Sequence, residues 1–119
     1  MSNAPRVRVE PLSVRRWRIT NAGDAPLRLL ESWLPHGRFR GATRRHDREI
    51  APGESIALDL PVETAGTAGE IVENAFLILR LEGWRVLARL RIRFDERASA
   101  HAEVVAVTSQ RAGFSGVAD

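Results

Sequence analysis

The segment from Trp84 to Phe94 constrains the fold most. Trp84, Val86, Ala88, Leu90, Ile92 and Phe94 alternate with Arg85, Leu87, Arg89, Arg91 and Arg93. Successive side chains of an extended chain point to opposite faces, so this period of two puts the apolar set on one side and the arginines on the other. A helix would scatter the same residues around its circumference. A strand of this kind is stable only within a sheet whose apolar face is covered by another layer.

The same reading extends along the chain. In Ser55 to Val62, Ile56, Leu58, Leu60 and Val62 share a face, and Pro52-Gly53 before it supplies a preset φ and a positive φ for a turn. Val14 to Thr20 places Trp17 and Ile19 opposite Arg16 and Arg18, and the turn residues Asn21 to Pro26 separate it from a strand over Leu27 to Leu34. Val72 to Glu82 is apolar at every position from Ala75 to Leu79, which fits a central strand covered on both faces. Gly83 then leads into the Trp84 strand as a hairpin. Arg6 to Val9 reads as a short first strand. Gly37 to Asp47 is polar and arginine-rich, a loop with at most a brief edge strand leading to Ile50, and Thr64 to Gly69 is a small-residue loop. Short strands at regular intervals, with no alternation of strand and helix, predict an all-β, immunoglobulin-like antiparallel β-sandwich of about seven strands. Residues 1–97 make the domain. Residues 98–119 form a C-terminal segment in which Val104, Val105 and Val107 could pair as an extra strand, followed by a frayed tail.

Composition narrows the chemistry. The 119 residues suit one domain with a real core. Cysteine is absent, so disulfides, thiolate metal sites and cysteine nucleophiles are excluded, and a reducing compartment is suitable. Met1 to Pro5 lacks the apolar core of a signal peptide, and no apolar run approaches the roughly 20 residues of a membrane-spanning helix. The expectation is a soluble, cytoplasmic chain with no membrane partner. The pI near 11.1 arises because every basic residue is arginine and lysine and tyrosine are missing, while the formal net charge is only +3. Charge alternates in blocks: +7 over residues 6–48, −6 over 49–84, +4 over 85–93 and −2 over 95–119. Such blocks predict ion pairing between strands rather than one basic surface.

Several turns resemble those of a known group. Asn21-Ala22-Gly23-Asp24-Ala25-Pro26-Leu27 is similar to the N-x-G-x-x-P-L signature of abnormal-spindle/hydin-type immunoglobulin-like domains, relatives of major sperm protein. Pro35 and Phe39 follow as in that group, and Ile50-Ala51-Pro52-Gly53-Glu54-Ser55 resembles its I-x-P-G-E-S turn. Gly69 and a closing hairpin from Ala75 to Leu90 complete a likeness that spans Val14 to Phe94. ApaG-type domains share the N-x-G and P-G-E turns, but their glycine-rich loop is missing here. The resemblance implies a sandwich used for binding or assembly, and turn motifs specify fold far better than function.

Catalytic chemistry finds little support. His36, His46 and His101 lie outside the clear strands, Gly113-Phe114-Ser115-Gly116 lacks the spacing of a nucleophile elbow, and Glu49 and Glu54 flank a surface turn. His36, His46 and Asp47 have no metal-ligand spacing and stand among arginines that repel a cation. No catalytic residue, metal or cofactor is therefore expected. At least two of Trp17, Trp33 and Trp84 are expected in the core. One candidate surface is an anion-binding loop of Arg38, Arg40, Arg44, Arg45 and Arg48, although it has little aromatic interleaving and no nucleic-acid motif. The other is the outer face of the central hairpin. A loop of Glu82-Gly83 turns Leu77 and Leu79 inward and leaves Phe76 and Ile78 outside beside Leu87; a loop of Leu81-Glu82-Gly83 does the reverse. Either way Phe76, Leu77, Ile78, Leu79 and Leu87, with Arg85 and Arg89, supply an apolar face that a soluble monomer seldom leaves open. Two covers are open at this point: the Val104 to Val107 segment folding back, or the same face of a second chain. The expected function is a non-enzymatic protein-interaction or assembly module, partnered by another protein or by itself as a homodimer. The alternative is an anion- or nucleic-acid-binding domain using residues 38–48.

Overall fold

The computed structural model describes residues 4–111, and these contain strands and turns with no helix. In chain order the strands are β1 (Val7–Ser13), β2 (Arg16–Asn21), β3 (Leu27–Trp33), β4 (Arg40–Gly41), β5 (Arg44–Ile50), β6 (Ser55–Asp59), β7 (Val62–Glu63), β8 (Ile71–Leu81), β9 (Trp84–Phe94) and β10 (Ala100–Arg111). They form a three-stranded sheet, β1-β2-β6, packed on a five-stranded sheet, β10-β9-β8-β3-β5, with β4 and β7 as a small separate pair. All pairings are antiparallel. The arrangement β1-β2-β6 against β9-β8-β3 is that of an immunoglobulin-like sandwich, extended by β5 on one side and β10 on the other.

The period of two becomes the core. Val86, Ala88, Leu90, Ile92 and Phe94 of β9 are at most 1% exposed and meet Trp17 and Ile19 of β2, Ile56 and Leu58 of β6, and Leu77 and Leu79 of β8. Burial of these side chains contributes roughly 1.5–3 kcal/mol each, which is what holds the two sheets face to face. Trp17 is fully buried, its Nε1 donating to the Val14 carbonyl at 3.2 Å. Trp33 and Trp84 are only half-buried, so one tryptophan rather than two sits wholly inside.

Asn21 ties the layers together. Its Nδ2 donates to the carbonyls of Ala25 (2.8 Å) and Ile50 (2.9 Å), and its Oδ1 accepts from Gly23 N–H (3.0 Å). Its backbone carbonyl accepts from Gly53 N–H at 2.8 Å. The Asn21 to Leu27 and Ile50 to Ser55 motifs thus meet in space and lock each other, with Gly53 at φ +80 as the turn requires. Their chemistry is architectural.

Three segments extend or correct the sequence reading. The brief edge strand expected to lead to Ile50 is a seven-residue strand, Arg44–Ile50, paired with β3. β8 is central in strand order, yet it has one covered face: Ala75, Leu77 and Leu79 are buried while Phe76 and Ile78 stay half-exposed. β10 is a 12-residue strand hydrogen-bonded to β9, and it extends the sheet instead of folding over its outer face. The frayed tail expected beyond Arg111 lies outside the described residues.

Candidate functional site

The hairpin register selects the candidate face. Leu81 pairs with Trp84 across a Glu82-Gly83 turn, and Gly83 adopts φ +81. From that pairing Ile78 lies opposite Leu87, Phe76 opposite Arg89, and Arg80 opposite Arg85. Leu77 and Leu79 are therefore removed from the candidate surface: they are 1% and 0% exposed, packed between the sheets. Phe76, Ile78 and Leu87 point the other way, with Arg85 half-buried and Arg89 exposed beside them.

β3 adds a residue that sequence reasoning missed. Ser32 pairs with Leu79 and is fully buried, so its neighbour Trp33, paired with Ile78, turns outward. Trp33, Ile78 and Leu87 then form a strip running across β3, β8 and β9, with Phe76 beside it. Apolar residues on both faces of Leu27 to Leu34 were the available signal, but only cross-strand pairing shows which ones share a side. Ala106 and Thr108 of β10, opposite Arg89 and Leu87, continue the same face with small side chains.

Charges frame this strip. Glu31 accepts from Arg80 Nε at 2.7 Å and lies 3.7 Å from Arg45 Nε. Arg91 lies between Glu73 at 3.0 Å and Glu103 at 3.1 Å. Elsewhere Arg18 faces Glu10 at 3.9 Å, Arg16 faces Asp59 at 3.8 Å, and Arg28 reaches Asp47 at 2.7 Å. The charge blocks thus find partners across strands. Exposed pairs of this kind contribute only about 0–1 kcal/mol each, so their main effect is to reduce free positive charge.

Of the arginines in residues 38–48, Arg38, Arg44, Arg45 and Arg48 do not form one cradle. Arg38 donates to both carboxylate oxygens of Glu70, and its Nη2 also reaches the Ala65 carbonyl at 3.1 Å. That contact, with the Thr67 N–H, holds the Glu70 carboxyl down to about 2. Arg40 lies on the short β4 paired with β7. Arg44, Arg45 and Arg48 are spread along β5, opposite Ser32, Glu31 and Leu29 respectively, so successive guanidinium groups leave on different sides. The edge strand is longer than the sequence suggested because β5 borrows its extended form from β3, not from any amphipathic pattern of its own.

The histidines are held by local bonds. His36 stacks on Phe39 with ring centroids 4.7 Å apart, and His101 Nε2 lies 2.8 Å from Asp95 Oδ2. His46 Nε2 lies 2.7 Å from Ser32 Oγ. This serine–histidine contact has no accessible nucleophile, because Ser32 is 0% exposed inside the sandwich. Among the described residues no group of three or more metal-ligating side chains converges.

Burial, reinforced by Arg44, lowers the pKa of His46 below its ordinary 6.5. A base whose folded value is depressed favours the fold while neutral, so its contribution is full above the unfolded value and is lost as pH falls through the folded one. Stability is therefore expected to drop between about pH 7.5 and 5.5, and the drop should shrink in His46→Gln. Urea titrations at the two pH values check this. Glu70 and Asp95, both held near 2, contribute only to losses below their unfolded values and stay out of this window. An equal drop in the variant would assign it to other groups.

No family model, curated protein or solved structure matches the chain, so its functional reading rests on this geometry and on the turn motifs.

Proposed function

We propose that the chain is a non-enzymatic protein-interaction or assembly module whose contact surface is the outer face of the five-stranded sheet, and whose partner is a second copy of itself. The observation that carries the reading is the strip of Trp33, Ile78 and Leu87, with Phe76 adjoining, which no other layer of the described residues covers. The Val104 to Val107 segment does not cover it, since it is paired into the sheet at β9. Stacking this face on its equivalent across a two-fold axis buries the apolar strip twice and leaves arginines and glutamates at the rim. The resemblance to abnormal-spindle/hydin-type domains supports the same class of role. A cysteine-free chain suits the cytoplasm, where the reading places it.

The anion- or nucleic-acid-binding alternative draws less support. Arg38 is committed to Glu70, and Arg45 lies near Glu31, which leaves the basic segment divided. Sedimentation across a concentration series tests the main reading, with Leu87→Glu and Ile78→Arg as variants. Hot-spot truncations cost roughly 2 kcal/mol or more, so each variant is expected to weaken self-association at least about 30-fold while its circular dichroism is unchanged. A wild-type chain that stays monomeric to about millimolar concentration, beyond the range of any useful dimer, overturns it.

A further inference from the structure

The five-stranded sheet ends in two edges that are treated very differently. At β5 the edge consists of Arg44, Arg45, His46, Asp47, Arg48 and Glu49, the register slips between Leu29 and Glu31, and Asp47 is twisted to φ 134. Charge and irregularity of this kind discourage an additional strand. At β10 the run from Val104 to Gln110 carries no charge at all, and Val105 and Val107 are 41% and 37% exposed. The nearest edge of the other sheet, β1, runs alongside β10, with Val7 and Val9 lining one groove with Val107 and Ser109. Ser109 Oγ donates to the carbonyl of Pro5, just before β1, at 3.4 Å, and among the described residues no backbone hydrogen bond joins the two strands. One side of a long strand is thus left with unpaired backbone groups.

We propose that this edge accepts an extended, acidic segment of a protein partner as a further strand. Backbone pairing supplies the affinity in such additions and alternate side chains supply the selectivity. The selectivity here comes from β9. Arg89 is exposed, faces Ala106 across the β9–β10 pair, and has no carboxylate partner among the described residues. Alanine ends at Cβ, so the Arg89 side chain can extend over it towards the free edge. An added strand lies about 10 Å from β9, two inter-strand spacings away, where a glutamate on the outer side reaches back to that guanidinium. A basic segment would set like charges together at Arg89. A second copy of β10 is a poorer occupant, because Ala106, Thr108 and Gln110 bring no carboxylate to Arg89 and its one outward carboxylate, Glu103, is already paired with Arg91. The proposal uses the backbone edge, which the face contact above leaves open, and shares with that contact only Arg89 beside the apolar strip.

Fluorescence anisotropy with two end-capped peptides of strand length, about eight residues, tests the assignment. One alternates glutamate with valine, the other lysine with valine. At low salt the glutamate peptide is expected to bind at least about 10-fold more tightly, with the preference shrinking as salt screens it. Arg89→Glu is expected to reverse the order, and Arg89→Ala to abolish the preference with thermal unfolding unchanged. Bound peptide should slow hydrogen exchange of β10 amides and leave those of β5 unaffected. Equal binding of both peptides, a preference retained in Arg89→Glu, or protection at β5 would overturn the proposal. So would loss of peptide binding as protein concentration rises, which would give the edge to a second copy. A chain that proves monomeric leaves this test unaffected, so the two readings fail separately.

Discussion

Replacing Asn21 with alanine is expected to lower the stability of the domain by about 2–4 kcal/mol, because one truncation leaves several backbone groups without partners. The Asn21 side chain is 1% exposed and bonds the Ala25 and Ile50 carbonyls and the Gly23 N–H. These groups lie at the end of β2, before β3 and at the end of β5, so the loss loosens both sheets at one corner. For a domain of this size, 1 kcal/mol corresponds to roughly 4–8 °C in melting temperature, and thermal unfolding would register the change directly. Asn21→Asp keeps the shape but puts an acceptor where Nδ2 now faces two carbonyls, and it should lose at least as much at neutral pH. If Asn21→Ala melts within a few degrees of the parent, the corner is not the lock described here.

The second large effect is steric. A Cβ built on Gly66 would sit 2.4–2.6 Å from three atoms of the Phe94 ring. Phe94 is 1% exposed at the end of β9, so its ring has no free space into which to retreat. Gly66→Ala is therefore expected to cost about 1–3 kcal/mol, the range for overpacking a filled core. Pairing it with Phe94→Leu should make the double variant more stable than the sum of the single losses predicts, since the second change removes the obstacle. Denaturant titration of the four proteins measures that coupling. Strictly additive losses would mean that the 64–69 loop moves away instead.

How much of this was legible beforehand differs from element to element. β9, β6 and β2 could be read because each has one face in the core and one in solvent, which stamps a period of two on the sequence. The residues of β5 carry no such stamp: only Ile50 is buried, and the rest are polar on both sides. Their extended form is imposed by pairing with β3, a contact that no local pattern records. β10 was ambiguous for a related reason, since Ala100, Ala102 and Val104 pack only partly against the core and the alternation is shallow. The turns at Asn21 and Pro52 were readable as turns, but not as parts of one hydrogen-bonded corner. On the candidate face, Ala75 to Leu79 is apolar throughout, so its two sides were equivalent until the Leu81–Trp84 pairing chose between them. Trp33 could not be assigned to this face from the sequence because its orientation follows from the burial of Ser32, a serine that nothing in the sequence marks as internal.

The contact role of the outer face is tested most directly by methyl relaxation from a soluble paramagnetic probe, followed as protein concentration is raised. At low concentration the Ile78 and Leu87 methyls, half-exposed on that face, should relax with the probe. As association proceeds they are expected to become shielded, while Leu12, 46% exposed on β1, stays accessible throughout. Ile78 and Leu87 methyls that remain as accessible in the associated state as in the dilute one would contradict the account.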